Sequence, residues 1–315
     1  MRGFSNEFKD FPDYILKITK EIWEDRGLGG KMKDYYHPDV VVRTPAGIAF
    51  GEAGMTAGTM ANLTEFPDRV LLGEDVIWSG DPEAGMLSSH RLLSTATHHG
   101  GSFGPATGIK LVYRGIADCY AHENMISDEW LVRDNGAIIR QLGMTPEDFV
   151  RREQDAGRAP GAFTPAVDRD GPYLGRGNDN EWGATYADYL SRIMRGDLAV
   201  IPEKWDRAVH CEYPGGVRGH SHGAADAFWL GLRSAFPSAE FKINHVIGRE
   251  DPMLSPRAAV RWSLDGTHDG WGAFGRPTGK PVHVMGICHA EFGPWGLRRE
   301  YVVFDEIAIW AQVLA

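Results

Sequence analysis

The chain has 315 residues, 43% of them hydrophobic and 24% charged, a globular composition with room for two domains of ordinary size. A formal net charge of −10 argues against a surface that tracks phosphate backbones, which needs clustered Lys and Arg, so nucleic acid is not an expected partner. The three cysteines, Cys119, Cys211 and Cys288, contain no C-x-x-C pair and give no disulfide framework, which suits a reducing compartment; Cys119 and Cys288 read as small buried hydrophobes, with a reactive thiol as the alternative.

The first residues, MRGFSNEFKDF, lack a basic start and an apolar run, and no uncharged apolar segment is long enough for a membrane span. A cytoplasmic protein without membrane contact is expected. Ile15, Ile18, Ile22 and Trp23 recur at helical spacing and stop before Gly27, predicting an amphipathic opening helix. A strand at 40–42 and a turn at Pro45-Ala46-Gly47 follow. Residues 151–180 are rich in Gly, Pro and Asp without periodicity and read as a linker lying across the surface. The pattern then restarts. Tyr186, Tyr189, Leu190, Ile193 and Met194 predict a second opening helix before Gly196, followed by a strand at 208–210 and a turn at Pro214-Gly215-Gly216. A helix carrying Phe228, Trp229, Leu232 and Phe236 leads into β-branched and aromatic runs at 241–247, 258–264, 282–289 and 299–309. Helices first and antiparallel strands afterwards is an α+β order, with helices on one face of a sheet.

The restart is a duplication. THHGG-SFGPATG, beginning at Thr97, returns as THDGWGAFGRPTG, beginning at Thr267, and EWLVRDN returns as EYVVFDE. Gly108, Gly115, Glu129, Trp130, Asp134 and Gln141 correspond to Gly279, Gly286, Glu300, Tyr301, Asp305 and Gln312 at one offset of 171. Phe66, Arg91 and His98 match Phe236, Arg261 and His268 at offset 170, and Gly27, Pro45 and Gly47 match Gly196, Pro214 and Gly216 at offset 169. Two single-residue gaps thus align about 130 residues with themselves, the signature of repeated units. The expected division is domain 1 at 1–150, a linker at 151–180 and domain 2 at 181–315.

The segment G-x-F-G-x-x-T-G, the following Gly-Ile and the closing E-W-x-V-x-D resemble the SnoaL-like polyketide cyclases of the nuclear transport factor 2-like superfamily. The resemblance covers roughly residues 13–148 and 183–314. It implies two tandem cone-shaped α+β barrels, each a curved, mostly antiparallel sheet with helices packed on one face and a ligand pocket at the open end. It also implies an internal pseudo-dimer, with further homo-oligomerisation open. The family also includes isomerases, dehydratases, hydrolases, lyases and non-catalytic binding proteins, and fold alone does not fix function.

Members of this kind work without metal or cofactor, using an Asp, often with a His, as general acid and base; no cofactor is therefore expected here. The corresponding aspartates are Asp134 and Asp305. Asp305 shares strand parity with Tyr301 and Val303, and Asp134 with Trp130 and Val132, so an apolar pocket face is expected around each carboxylate, with a raised pKa. The alternatives are that these aspartates cap a turn or pair with Arg133 or Arg298. His268, counterpart of His98, ends the parity series of Val260, Trp262 and Leu264, where it would stabilise an oxyanion or close a hairpin. Tyr301, Trp130, His289 and Trp262 are the expected substrate-binding residues, and Arg91 and Arg261 read as structural ion-pair partners. His289 is equivalent to Asp118 in the first copy, so the pockets differ, and the second, which keeps the adjacent acids Asp305 and Glu306 where the first has Asp134 and Asn135, is favoured as the active one. His98-His99 and His220-Ser221-His222 lack Cys or acidic partners at metal-ligand spacing, so no metal site is expected.

Ten Trp, fourteen Phe and ten Tyr suit an aromatic-lined pocket for a small apolar or aromatic organic substrate. Phosphate-binding loops, dinucleotide fingerprints and nucleophile elbows are missing from the sequence. The expectation is a cofactor-independent lyase, isomerase or cyclase using Asp/His acid–base chemistry on a carbonyl-bearing or aromatic molecule. A non-catalytic ligand-binding protein and a hydrolase activating water in the same pocket are the alternatives.

Overall fold

A computed structural model describes all residues from Met1 to Ala315. Asp10 caps the first helix, its carboxylate accepting from Asp13 N at 2.9 Å, and Pro12 sits where its missing N–H costs nothing. Helix α1 (Phe11–Thr19) buries Phe11, Tyr14, Ile15 and Ile18 and continues into a π-helical turn, Lys20–Glu24. The elements α2 (Lys31–Tyr35), β1 (Tyr36–Thr44), β2 (Gly47–Phe50), α3 (Gly51–Glu65), β3 (Val70–Asp81), β4 (Gly85–Thr97), β5 (Lys110–His122) and β6 (Met125–Arg133) follow. Two helices, α4 (Asn135–Gln141) and α5 (Pro146–Asp155), end the first half.

The second half repeats the scheme with α6 (Glu181–Met194), α7 (Val200–Lys204), β7 (Trp205–Tyr213), β8 (Val217–His220), α8 (His222–Ala235), β9 (Glu240–Arg249), β10 (Arg257–Thr267), β11 (Pro281–Gly293), β12 (Gly296–Phe304) and α9 (Glu306–Val313). None of the helices is long and apolar enough to cross a membrane.

Each half forms one six-stranded sheet. The orders are β2-β1-β6-β5-β4-β3 and β8-β7-β12-β11-β10-β9, the same path twice. Only β1 with β6 and β7 with β12 run parallel. Neither sheet closes: its first and last strands remain edges, so each is a curled open cone. A bulge occurs at the same place in both, skipping Glu74 opposite β4 and Asn244 opposite β10. An extra residue in one strand bends it, which turns the sheet's edge over the concave face.

The two sheets pack against each other through their outer faces, so the duplicated halves form an internal pseudo-dimer. Its polar contacts are related two by two. Arg261 Nε donates to Asp118 Oδ2 at 3.0 Å, and Arg91 Nη1 lies 3.1 Å from His289 Nδ1. Arg261 stacks on Trp130 with its guanidinium carbon 3.6 Å from the ring centre, and Arg91 on Tyr301 at the same distance. Ile116 and Val132 from one sheet meet Ile287 and Val303 from the other.

The segment between the halves is mostly exposed and is anchored at a few side chains. Phe163 is buried in the seam, Arg43 binds Asp168 at 2.5 Å, and Tyr173 Oη lies 2.6 Å from His245 Nε2. Helix α5 also leaves its own sheet: Phe149 and Val150 join the core of the second half.

Candidate functional site

The cones share a backbone and differ in what fills them. Along the concave face of the first sheet the cross-strand partners form rungs: Glu129–Cys119–Ser88, then Leu131–Ala117–His90, then Arg133–Gly115–Leu92. Corresponding rungs of the second sheet read Glu300–Ala290–Ala258, Val302–Cys288–Val260 and Phe304–Gly286–Trp262. The indole of Trp262 lies over Gly286, where a Cβ would meet it at 2.2 Å; at Gly115 the nearest atom is a backbone oxygen at 3.3 Å. Trp229 and Phe228 of α8 fall at Thr59 and Gly58 of α3. The second cone is therefore packed solid with Trp205, Tyr213, Trp229, Trp262 and Phe304. The first retains a cavity of about 230 Å³.

That contrast is sharpest at the repeated glutamate. Glu300 is fully buried and accepts from Tyr186 Oη at 2.9 Å, Tyr213 Oη at 2.6 Å, Trp229 Nε1 at 3.3 Å and Trp205 Nε1 at 3.4 Å. Glu129 accepts one side-chain hydrogen bond, from Tyr36 Oη at 3.0 Å. Where Tyr213 and Trp229 stand in the second half, the first has Thr44 and Thr59, and its opening helix presents Ile15 and Ile18; all four line the cavity. Burial pushes the Glu129 carboxyl above the ordinary glutamate value of 4.5, against the opposing pull of Tyr36, Arg133 and Cys119. A carboxyl in an apolar cavity with few donors is the arrangement that moves a proton near neutral pH.

Further polar groups ring the same space. His90 Nε2 is buried without a partner, and burial, helped by Arg91, lowers the imidazole to about 4, so the ring is neutral. Arg69 and Asn62 meet each other, and Arg133 and Tyr113 complete the polar wall. Glu129 and Arg133 lie on the same face of β6, about 13 Å apart along the strand at roughly 3.3 Å per residue. The cavity thus has a carboxyl at one end and two guanidinium groups toward the other.

The residues expected from sequence take the following places. Asp134 caps α4, accepting from Ala137 N at 2.9 Å, and reaches across the seam to Gly215 N at 2.8 Å and Gly216 N at 2.9 Å. Both glycines adopt positive φ, which aims their N–H groups at the carboxylate. Asp305 caps α9 through Ile307 N at 3.0 Å and accepts from Asn135 Nδ2 at 2.6 Å. Burial raises Asp134 to about 6 and Asp305 to about 7, yet both belong to the seam between the sheets, not to a cone.

Trp130, Tyr301 and His289 also face the seam. His289 is fully buried, 2.8 Å from Ser89 Oγ, and burial followed by Arg91 lowers its pKa. Trp262 does enter a cone, but as the filling of the second one, its Nε1 donating to Cys288 Sγ at 2.9 Å. The histidines after β4 and β10 hold hairpins: His98 Nδ1 lies 3.0 Å from Thr107 Oγ1 and His268 Nδ1 3.2 Å from Thr278 Oγ1. The pocket favoured from sequence, the second, is the closed one. Strand parity alone does not tell the faces apart, because each sheet carries apolar residues on both, one face toward its cone and the other toward the second sheet.

The residues that line the open cavity were visible as exchanges between the copies. Asn62, Arg69, His90 and Arg133 become Leu232, Ala239, Val260 and Phe304. Polar residues present in one copy and apolar in the other mark the place where the cones diverge.

Residues 186–297 match the SnoaL-like domain family. That match lies within the second half, and the first half repeats its strand order. No curated protein matches the chain. Among solved structures, IdmH from Streptomyces antibioticus, a candidate polyketide cyclase, is 21% identical over 43% of this chain and 100% of that one, with a TM-score of 0.38. A SnoaL-like polyketide cyclase from Agrobacterium tumefaciens is 20% identical over 41% of this chain and 95% of that one, TM-score 0.33. AclR from Streptomyces galilaeus, a candidate hydroxylase, is 21% identical over 39% of this chain and 74% of that one, TM-score 0.34.

Proposed function

We propose that this protein is an acid–base enzyme of the isomerase, lyase or cyclase kind, working on a small carbonyl-bearing organic molecule in the first cone, with the second cone as its structural partner. The observation that carries this reading is the difference between the two glutamates: Glu300 is held by four donors in a filled core, whereas Glu129 takes a hydrogen bond from Tyr36 with only the Cys119 thiol beside it and borders a cavity. A carboxyl kept for structure is saturated with donors; one kept for chemistry has a free edge toward the substrate.

In the proposed step the ionised Glu129 takes a proton from carbon next to the substrate carbonyl. The C–H electron pair becomes the enolate, the proton rests on the carboxyl, and Glu129 returns it to another position of the same molecule. Tyr36 Oη keeps one carboxylate oxygen oriented, leaving the other for the proton. The neutral His90 imidazole supplies a hydrogen bond to the developing oxyanion, which an imidazolium would instead protonate. With about 230 Å³ of space the cavity suits a molecule below drug size.

The test needs no knowledge of the natural substrate. In D2O, the protein should exchange C–H protons next to the carbonyl in members of a panel of small aryl ketones and oxo acids, read by proton NMR. Glu129→Gln should slow this exchange by about 100-fold or more, the range of general acid–base contributions. Its rate should fall on the acid side at a pH above the ordinary glutamate range, because burial raises the Glu129 pKa. Full exchange by a folded E129Q variant would exclude Glu129 as the base.

A further inference from the structure

The polar wall of the first cavity contains two guanidinium groups without a carboxylate partner. Neither Arg69 nor Arg133 comes within the 4.0 Å of a carboxylate oxygen that an ion pair requires. Arg69 is only 8% exposed, and its Nε is buried without an acceptor while Nη1 donates to Asn62 Oδ1. The carboxylate electrostatically nearest to it, Glu24, is engaged by Leu71 N at 2.6 Å. Arg133 is half-buried, lines the same cavity and acts on Arg69 as a like charge through space. Two cations facing one apolar space, one with an unsatisfied buried N–H, are costly unless an anion joins them.

Duplication supplies the control. Arg69 immediately precedes β3 as Ala239 immediately precedes β9, and Arg133 ends β6 as Phe304 ends β12. Asn62, which braces Arg69, is Leu232 in the second half. The three counterparts are buried in an ordinary apolar core, so the backbone does not require charge at any of these positions. The arginines, the brace and the open space occur together in one copy and are missing together from the other.

From these observations we infer that the first cavity takes an anionic substrate, with Arg69 and Arg133 clasping a carboxylate or a group of the same charge and Asn62 holding Arg69 in place. Guanidinium groups match carboxylate oxygens through paired N–H donors, which fixes the orientation of the bound molecule as well as its charge. The anionic end then lies at the Arg133 rung, and the apolar body extends past Leu92, Leu131 and Ala117 toward Glu129. This inference rests on the reading that the cavity is the substrate site, and adds the class of substrate.

A matched pair of probes tests it: 2-oxo-4-phenylbutanoate and 2-oxo-4-phenylbutanamide, which share ring and ketone and differ in charge. By titration calorimetry the acid should bind the full-length protein at least about tenfold more tightly than the amide, the scale of one charge-assisted pairing. Arg133→Gln and Arg69→Gln, each checked for an unchanged far-ultraviolet spectrum, should each remove most of that preference by weakening the acid and sparing the amide. Inorganic phosphate should compete with the acid. Equal binding of acid and amide by the wild-type protein, a preference that survives both substitutions, or failure of the acid to bind at millimolar concentration would overturn the inference. The proton-transfer reading fails on a different measurement, persistence of exchange in E129Q, so a protein can pass one test and fail the other.

Discussion

At the scale of single residues, the aspartates show how a raised pKa can belong to architecture. Asp305 keeps two donors, Asn135 and Ile307, and its carboxyl is nevertheless pushed from 3.8 to about 7, mainly by burial. In the unfolded chain it would titrate near 3.8. Between these values the folded state holds more protons than the unfolded state, so this residue's contribution to stability is fully present below the unfolded value and is lost as pH rises through the folded one. Asp305→Asn should preserve the helix cap, since Asn is as good a cap as Asp, and should flatten the pH dependence of Tm between about pH 4 and 7. The expected gain at pH 8 is a few degrees, about 1 kcal/mol for a protein of this size. Proton exchange on the aryl-ketone panel should be unchanged, because the side chain lies in the seam. A folded D305N variant that loses exchange would return this aspartate to the chemistry.

At the scale of elements, the sequence shows a great deal of the fold and little of the site. Helix periodicity, the two gaps and the repeated closing strand are properties of one chain compared with itself, and they lead directly to two like sheets. The site depends on which face of β6 looks into the cone. Trp130 and Val132 are as apolar as Leu131, since one face covers a cavity and the other a second sheet, so alternation alone assigns no direction. What distinguishes the faces is the size of residues on neighbouring strands: Gly115 and Ala117 leave room that Trp262 takes up in the other copy. Filling is thus a property of large side chains on α8, β7, β10 and β12, and one of them can be taken away. Trp229→Thr, the first cone's residue at that place, should cost about 3–5 kcal/mol, the range for removing a large buried ring. It also deprives Glu300 of one of its four donors. The expected result is a clear fall in Tm with no new proton exchange in an E129Q background, since the arginines and the histidine of the first cavity are missing from the second. Exchange appearing in that double variant would show that an open cone with a glutamate is sufficient.

At the scale of the whole molecule, the second domain is explained by the seam it offers the first. Each half's outer sheet face carries apolar residues and an arginine that needs a partner from the other half, so neither face suits water. The two crossings are not chemically alike. Arg261 meets a carboxylate, Asp118, whereas its mate Arg91 meets the neutral ring of His289 and takes its charge balance from Glu74 at 3.1 Å. Arg261 is 7% exposed and Asp118 1%, so removing one partner strands the other in the seam. Arg261→Met should therefore destabilise the chain by about 3–5 kcal/mol, the cost of an uncompensated buried charge. Asp118→Leu should cost a similar amount, because the stranded guanidinium is equally desolvated. The double variant, with apolar groups on both sides, should recover most of the loss, giving a coupling of several kcal/mol in a double-mutant cycle read by urea denaturation. Additive single effects would mean that the two side chains do not sense each other. Strong coupling would make the seam the reason the filled domain is kept: it supplies the sheet against which β4, β5 and β6 hold Glu129, His90 and Arg133 around one cavity.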